Sequence, residues 1–580
     1  MSSNDAVSET PSSLRAFSTD ISDGTESSAL EPALATPAKA RRDEPVTTTS
    51  PPQGSGLAGF REALGRWSGA GRGKGELGGR RLGRTDRVAA AIVLVSVVAV
   101  VVVVVMTCEE VKWLNGFEVK VLDDGNGLGS PDDVCIQGFW YPYQNIFNLV
   151  DELGIKPFTN WMKSAQYSDE GLEVEFPIFQ DLPQLPTPFG TLLYTQFNRV
   201  PLVDRLTSLA LMAAVIDFDN TDTAWRKYDS VTARELFKQF GCSDRLYRDV
   251  IGPLLQVGLF APAEQCSAAA TLGILYYFIL AHQKNFDLVW CRGTLKELIF
   301  EPWMDSMRTR GSEFLDGRKV TDFVFDEETG CVSAVACGDE KYNADAVILA
   351  IGISALQELV KNSAALCTRE EFVKVLNLAC IDVISVKLRF DRKVIIPNAS
   401  NACSGFGDSF AWTFFDLNQI HDEHKEDLVT VLQADFYHAN ELLPLKDEHV
   451  LEKVMSCLSK CIKDFDTATV TNKQIRRFPK FLTHYFPGSY KYMTRESTSF
   501  ANLFMAGDWI TTRHGSWSQE KSYVTGLEAA NLVVDYLEDG SFAKIVPVEE
   551  DEPHIEALRN LNRRFNEIRE QLPLTNYFLQ

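Results

Sequence analysis

From residue 116 onward, apolar and polar positions alternate in the spacings of a mixed α/β protein. Residues 117–122 (FEVKVL) alternate as a strand that ends in Asp123 and Asp124, before a glycine-rich turn, Gly125 to Gly129. Ile146, Phe147, Leu149, Val150 and Leu153 fall on one helix face. Two longer apolar segments, Leu202 to Phe218 and Ala268 to Ala281, read as helices, the second too short to cross a bilayer and suited to a core or the wall of a tunnel. Val320 to Phe325, a turn at Glu328 to Gly330, and Val332 to Ala336 form a small antiparallel element feeding a buried strand, Ala344 to Ile351. A last strand, Leu503 to Ala506, precedes a helix starting near Ser518. Ile555, Leu558, Leu561, Phe565, Ile568 and Leu572 then mark a stripe on a charged helix that packs peripherally or meets a protein partner.

The beginning of the chain has a different grammar. Residues 1–52 are rich in Ser, Thr, Ala, Pro and acids, too polar to offset chain entropy, and are expected to be disordered. The acids Asp5, Glu9, Asp20, Asp23 and Glu26 do not suit a transit peptide. Residues 54–87 turn glycine-rich and basic, and Val88 to Met106 follows with Ser96 as its one polar residue. At about 1.5 Å per residue that run reaches roughly 28 Å, the length of a single-pass transmembrane helix. The basic flank before it would hold the N-terminus on the cytosolic-type side. Its valines also suit a buried parallel strand over Val97 to Val105.

Composition narrows the partners. The 580 residues carry a formal charge of −22, with residues 88–580 holding all of the excess acid, so a nucleic-acid backbone is excluded as the main partner. The twelve cysteines include no Cys-x-x-Cys pair, which argues against a structural zinc site and for a reducing compartment. Cys457 and Cys461 share a helix face as small apolar residues. His421, Asp422, Glu423 and His424 resemble a metal cluster in composition but read as a charged loop, and no metal site is expected. His514 reads as a turn histidine bonded to backbone, and no residue stands out as a general base.

Candidate chemistry concentrates in residues 502–537, NLFMAGDWITTRHGSWSQEKSYVTGLEAANLVVDYL. An acid at a strand end, Asp508, can accept hydrogen bonds from sugar hydroxyls, and the following helix start offers free N–H groups to an anionic acceptor. Gly526, Ala529 and Ala530 are small enough for close packing against a sheet or a flat ligand. The segment resembles the C-terminal flavin-binding signature of the FAD-dependent amine oxidase and carotenoid desaturase superfamily. Gly507, Asp508, Gln519, Glu520, Thr525, Gly526 and the Ala529–Ala530 pair fall in register with it. The resemblance places Asp508 against the ribityl and phosphate part of FAD and the backbone near Glu520 against the isoalloxazine edge. Residues 116–123 are similar to the family's second strand, whose terminal acid, here Asp123, holds the adenosine ribose; Gly129 lies in the turn after it. Residues 138–154, 228–239, 290–294 and 345–351 look like the desaturase branch.

Two positions depart from that family. The strand, G-x-G-x-x-G and helix that cradle the FAD pyrophosphate are missing, since no glycine occurs between Gly83 and Gly116. The Gly-Gly-Arg expected after the second strand is Leu128, Gly129 and Ser130. The missing cradle predicts weak FAD binding.

The resemblance implies an α/β fold, with an FAD-binding Rossmann-like domain and an inserted α+β substrate domain, preceded by a disordered tail and a candidate transmembrane helix. The expected divisions are a tail over 1–87, the membrane helix 88–106, FAD-binding parts 107–200, 291–360 and 476–540, substrate-domain parts 201–290 and 361–475, and a C-terminal amphipathic helix 541–580. It implies an FAD-dependent oxidoreductase that takes a hydride from a C–C or C–N bond of a lipophilic or amine small molecule, in a membrane and, by family resemblance, a plastid. The alternative is a membrane-tethered binding or scaffold protein that has lost FAD.

Overall fold

A computed structural model describes residues 102–107, 117–125, 136–403, 406 and 410–571, all inside one unit, Arg80–Gln580. The expected tail over 1–87 and Gly129 lie outside these residues. The runs that read as buried strands pair into one sheet: β1 (Val102–Thr107), β2 (Glu118–Asp123), β3 (Glu313–Leu315), β4 (Ala346–Ala350) and β5 (Leu503–Ala506), in the order β5-β4-β1-β2-β3. Every residue of β4 and β5 is buried, as their unbroken apolar sequences require of strands covered on both faces. β2 buries Val119, Val121 and Leu122.

β4 and β5 are parallel, as are β2 and β3. The central strand is antiparallel to both neighbours, with Val102 opposite Asp123 on one side and Ala350 on the other. This corrects both readings of the valine run. Its end, Val102 to Met106, is a sheet strand rather than part of a membrane helix, and its partners run the other way. The reason is geometric: ten residues separate Thr107 from Glu118, enough for an antiparallel link but short of the dozen or more that a parallel crossover takes. Residues 88–101 lie outside the described set. Among the described residues no helix is long and apolar enough to cross a membrane, so a single-pass anchor has no support.

An eight-stranded mixed sheet runs from Val470–His484 at one edge through Ala379–Phe390, Val431–Tyr437 and Ala411–Asp416 to Gln196–Phe197 at the other. Ser164–Ser168 pairs in parallel with Ser400–Cys403, so two segments distant in sequence wall one space. The predicted antiparallel element is a three-stranded sheet, Asp322–Phe325, Val332–Cys337 and Glu340–Asn343.

α1 (Gln144–Leu153) buries Ile146, Leu149 and Val150 and stops at Gly154, whose φ of 67° is left-handed. The apolar run from Leu202 splits into short turns, Leu202–Leu206, Thr207–Leu211 and Met212–Asp217. α2 (Ala268–Ile274) is wholly buried, starts on the Ser267 hydroxyl, which accepts from the N–H groups of Ala269 and Ala270, and continues into a wider turn, Leu275–Leu280. α3 (Gln519–Leu537) packs on β5 and α1. Cys457 and Cys461 are both buried on the helix Asp447–Cys461.

α4 (Pro553–Gln571) contacts the Met212–Asp217 turn, and the described part of its predicted stripe divides between core and surface. Ile555 is buried while Leu561 is 64% exposed, and Leu572 lies outside the described residues. Arg559 takes the inner position, donating to the carbonyls of Phe218 and Ile216 and pairing with Asp551 at 2.7 Å. A guanidinium that satisfies unpaired helix-end carbonyls competes with leucine for that face.

Candidate active site

The C-terminal ends of β2, β4 and β5 share one edge of the first sheet, where open α/β sheets bind their ligands. Asp123 ends β2. Its carboxylate is buried and accepts the Gly125 N–H at 3.1 Å, and burial, reinforced by Asp124 and Asp316, pushes its pKa up to about 6. A side chain at Gly125, at φ 96°, would meet the Gly317 backbone at 3.3 Å.

β5 ends at Gly507, where φ is 151° and a Cβ would lie 2.6 Å from Trp509 Nε1. That indole donates to the Ile351 carbonyl at 3.0 Å, tying the ends of β4 and β5 together. Thr525 is fully buried, and its hydroxyl accepts from Gly507 N–H at 3.0 Å. Thr525 and its buried neighbour Gly526 therefore hold α3 against the turn instead of presenting side chains to a ligand.

Asp508 is partly open, yet desolvation is the largest influence on its carboxyl and raises its pKa. Thr483 hydrogen-bonds it, Tyr485 donates to its backbone carbonyl at 2.8 Å, and the buried ammonium of Lys521 lies near. Lys521 donates to the Ser516 carbonyl at 2.8 Å, and burial pushes it down to about 7 against the pull of Asp508, Glu496 and Glu528. Ser518, whose hydroxyl accepts from Lys521 N–H at 2.8 Å, caps α3, so Asp508 does not cap that helix.

Glu520 is fully buried and faces α1. Its carboxylate accepts from Asn145 N–H at 2.8 Å, Asn145 Nδ2 at 2.6 Å and Ile146 N–H at 3.0 Å, the free donors of that helix's first turn. Burial outweighs these bonds and lifts its pKa to about 7. Gln519 points elsewhere: its amide donates to Gln137 while its Oε1, buried, has no hydrogen-bond partner among the described residues. His514 is buried against the Val546 carbonyl at 3.3 Å, so it bonds backbone, though from a distant segment.

Gln519 and Trp517 form one wall of an apolar cavity of about 1170 Å³, counting its open mouth. Phe260, Phe278, Trp290 and Phe415 also line it, and among the described residues no Asp, Glu, Lys, Arg or His does. A second apolar cavity of about 880 Å³ shares Phe176, Leu254, Ile279 and Phe286 with the first. Leu209, Met212 and Val215 of the first long apolar segment line the second cavity, and Ile274, Phe278 and Ile279 of the second segment line the first.

The described residues fit the sugar, ribityl and ring portions of FAD. Asp123 and Asp508 supply acceptors, and the unpaired Gln519 Oε1 lies where α3 begins. A pyrophosphate cradle is not found among them, because the shared edge receives the start of β1, not a strand-to-helix turn. Sequence reasoning missed Lys521 as a partner of Asp508 although it lies inside the signature. Thr483 and Tyr485 belong to no motif and arrive from the long strand Val470–His484 and the residue after it.

A sheet edge with acids at two strand ends and a largely apolar chamber walled in part by the start of α3 suit a dinucleotide-dependent oxidoreductase of mixed α/β fold. The model of the flavin containing amine oxidoreductase family matches residues 135–534, and the chain belongs to that family. It is an FAD-dependent oxidoreductase, desaturase-like. The 15-cis-phytoene desaturase of Synechococcus elongatus is 21% identical over 413 residues, covering 68% of this chain and 84% of the relative. The zeta-carotene desaturase of a Synechocystis species is 22% identical over 440 residues, covering 70% and 88%. A plastid relative, the chloroplastic/chromoplastic 15-cis-phytoene desaturase of Solanum lycopersicum, is 20% identical over 408 residues, covering 69% and 68%. Among solved structures, cyclohexylamine oxidase from Brevibacterium oxydans shares the fold with a TM-score of 0.54 at 13% identity, covering 72% of this chain and 90% of that one.

Proposed function

We propose that this protein takes a hydride from a C–H bond beside a C–C single bond of a long lipophilic substrate, the neighbouring carbon releasing a proton to solvent, in the manner of a desaturase. The observation that carries the reading is the chamber's lining: mostly apolar and aromatic, with a few neutral polar groups and, among the described residues, no carboxylate to receive an ammonium. An amine substrate would enter that chamber as an unpaired cation. FAD, when bound, supplies the hydride acceptor. The chain's own residues orient the substrate and exclude water, with the unpaired Gln166 amide and the unpaired Oε1 of Gln519 as polar points of the chamber. Asp123 would hold the adenosine ribose, Asp508 the ribityl chain, and the backbone at Gln519 and Glu520 the ring edge, while Gly507, Thr525 and Gly526 shape the turn. The expected chain divisions and a plastid location, drawn from relatives such as the tomato enzyme, belong to the same reading.

A test reduces bound flavin anaerobically with a long polyene hydrocarbon and, separately, with primary amines. Bleaching by the polyene alone supports the reading; bleaching by amines alone overturns it. The competing reading, a scaffold or binding protein without FAD, draws on the inverted β1 and the missing cradle. A purified protein with no visible flavin absorbance after incubation with FAD would favour it.

A further inference from the structure

A tight turn follows the strand Ala411–Asp416, far in sequence from the cofactor signature. Asp416 caps a single helical turn, Leu417–Ile420, and the chain then bends through Asp422–His424. The bend brings ligand atoms of His421, Glu423 and His424 within 4.8 Å of one another. Glu423 Oε1 stands 2.9 Å from His424 Nε2 and 3.9 Å from His421 Nδ1. Both of these ring nitrogens are buried and make no hydrogen bond among the described residues, and His421 is only 4% exposed. On its other side His424 Nδ1 lies 3.1 Å from Asp427 Oδ2, and Asp427 is gripped by both arms of Arg389 at 2.9 and 3.0 Å. A neutral imidazole has one N–H for these two carboxylates. With that proton directed to Asp427, the lone pair of Nε2 faces Glu423.

We propose that His421, Glu423 and His424 form a binding site for a divalent transition-metal ion of the zinc class, held by two imidazole nitrogens and one carboxylate with a fourth position left to water. Bonds of about 2.0 to 2.2 Å put tetrahedral ligands roughly 3.3 Å apart, so closure asks for movements of about 1 Å. Glu423, 62% exposed, is free to make them. The carboxylate–histidine pair of Asp427 and His424 fixes the tautomer such an ion needs. Lys387 is the competing cation, 3.6 Å from Glu423 Oε1. Asp422 N–H bonds the Arg292 carbonyl, two residues past the cavity residue Trp290, so an ion here would fasten a turn that braces the chamber wall. Chelator-stripped protein should bind one equivalent of Zn²⁺ in competition with a chromophoric chelator, and Co²⁺ should give the visible d–d bands of a four-coordinate site. His421→Asn with His424→Asn should abolish both signals, Asp427→Asn should weaken affinity about 10- to 100-fold, and Lys387→Met should tighten it. Glu423→Gln, at an exposed position, serves if the double variant fails to fold. Equal Zn²⁺ binding by wild type and these ligand variants, or none by wild type, overturns the site.

Discussion

The two limbs of the cofactor edge are built to different standards. On the C-terminal limb, β5, the Gly507 turn and α3 are cross-tied by Thr525, Trp509 and Tyr485, and each tie is buried. On the N-terminal limb, Asp123 meets Gly125 and Arg318 from its own neighbourhood, and the strand beside it is reversed. The C-terminal limb can thus be rigid while the limb beside β1 departs from the family's pattern. Affinity should then depend unequally on the two acids.

Breaking the rigid limb should have the largest effect. Gly507→Val places a branched side chain against Trp509 in a backbone region that L residues avoid, costing about 3 kcal/mol of stability or more. A melting curve within a few degrees of wild type would show the turn to be pliable. Next comes Asp508→Ala, which removes a charge-assisted acceptor and should lower FAD affinity roughly 10- to 150-fold. Its apo melting temperature should hardly move, because Ser518 and not Asp508 caps α3. A lowered melting point with unchanged FAD titration would reverse that assignment.

Glu520 sharpens the comparison through pH. Its folded pKa of about 7 lies above its ordinary 4.5, so the folded state holds this proton more tightly than the unfolded chain. The associated stability is fully present below about pH 4.5 and is lost as pH rises through 7. Glu520→Gln should flatten this part of the stability–pH curve and cost about 1 to 3 kcal/mol through the donors left at α1. Denaturant midpoints at pH 5 and 7.5 measure both. The smallest effect is expected from Asp123→Asn, about 3- to 10-fold in FAD affinity, since an amide oxygen still accepts from a hydroxyl. A loss exceeding that of Asp508→Ala would make the N-terminal limb the stronger one.

Much of this was written locally. The helix spacing of residues 143–153, the unbroken runs of β4 and β5 and the glycine–acid turn at 507–508 all follow from short-range pattern, and the structure keeps them. The valine run was ambiguous because hydropathy and length are shared by a membrane helix and a buried strand; only pairing partners decide between them. The antiparallel sense of β1 follows from the ten-residue link to β2, too short for a parallel crossover. Glu520 shows a subtler limit. The signature located the residue, but its carboxylate spends itself on Asn145, a contact across 375 positions that no periodicity encodes. The closeness of His421 and His424 was visible as composition, whereas the convergence of their ring nitrogens on Glu423 depends on one bend after Asp416.

The reversed central strand also sets a timetable for synthesis. β1 and β2 leave the ribosome almost together and can zip as a local hairpin, yet their sheet is finished only when β5 emerges, roughly 400 residues later. The outer edge of β1 is covered by β4, roughly 220 residues on, so at about 5 to 20 residues per second it stays open on the order of 10 to 45 s. During that interval an unpaired valine edge is a template for pairing with other nascent chains. Production of this protein should therefore respond to translation speed and to chaperones that shield strand edges.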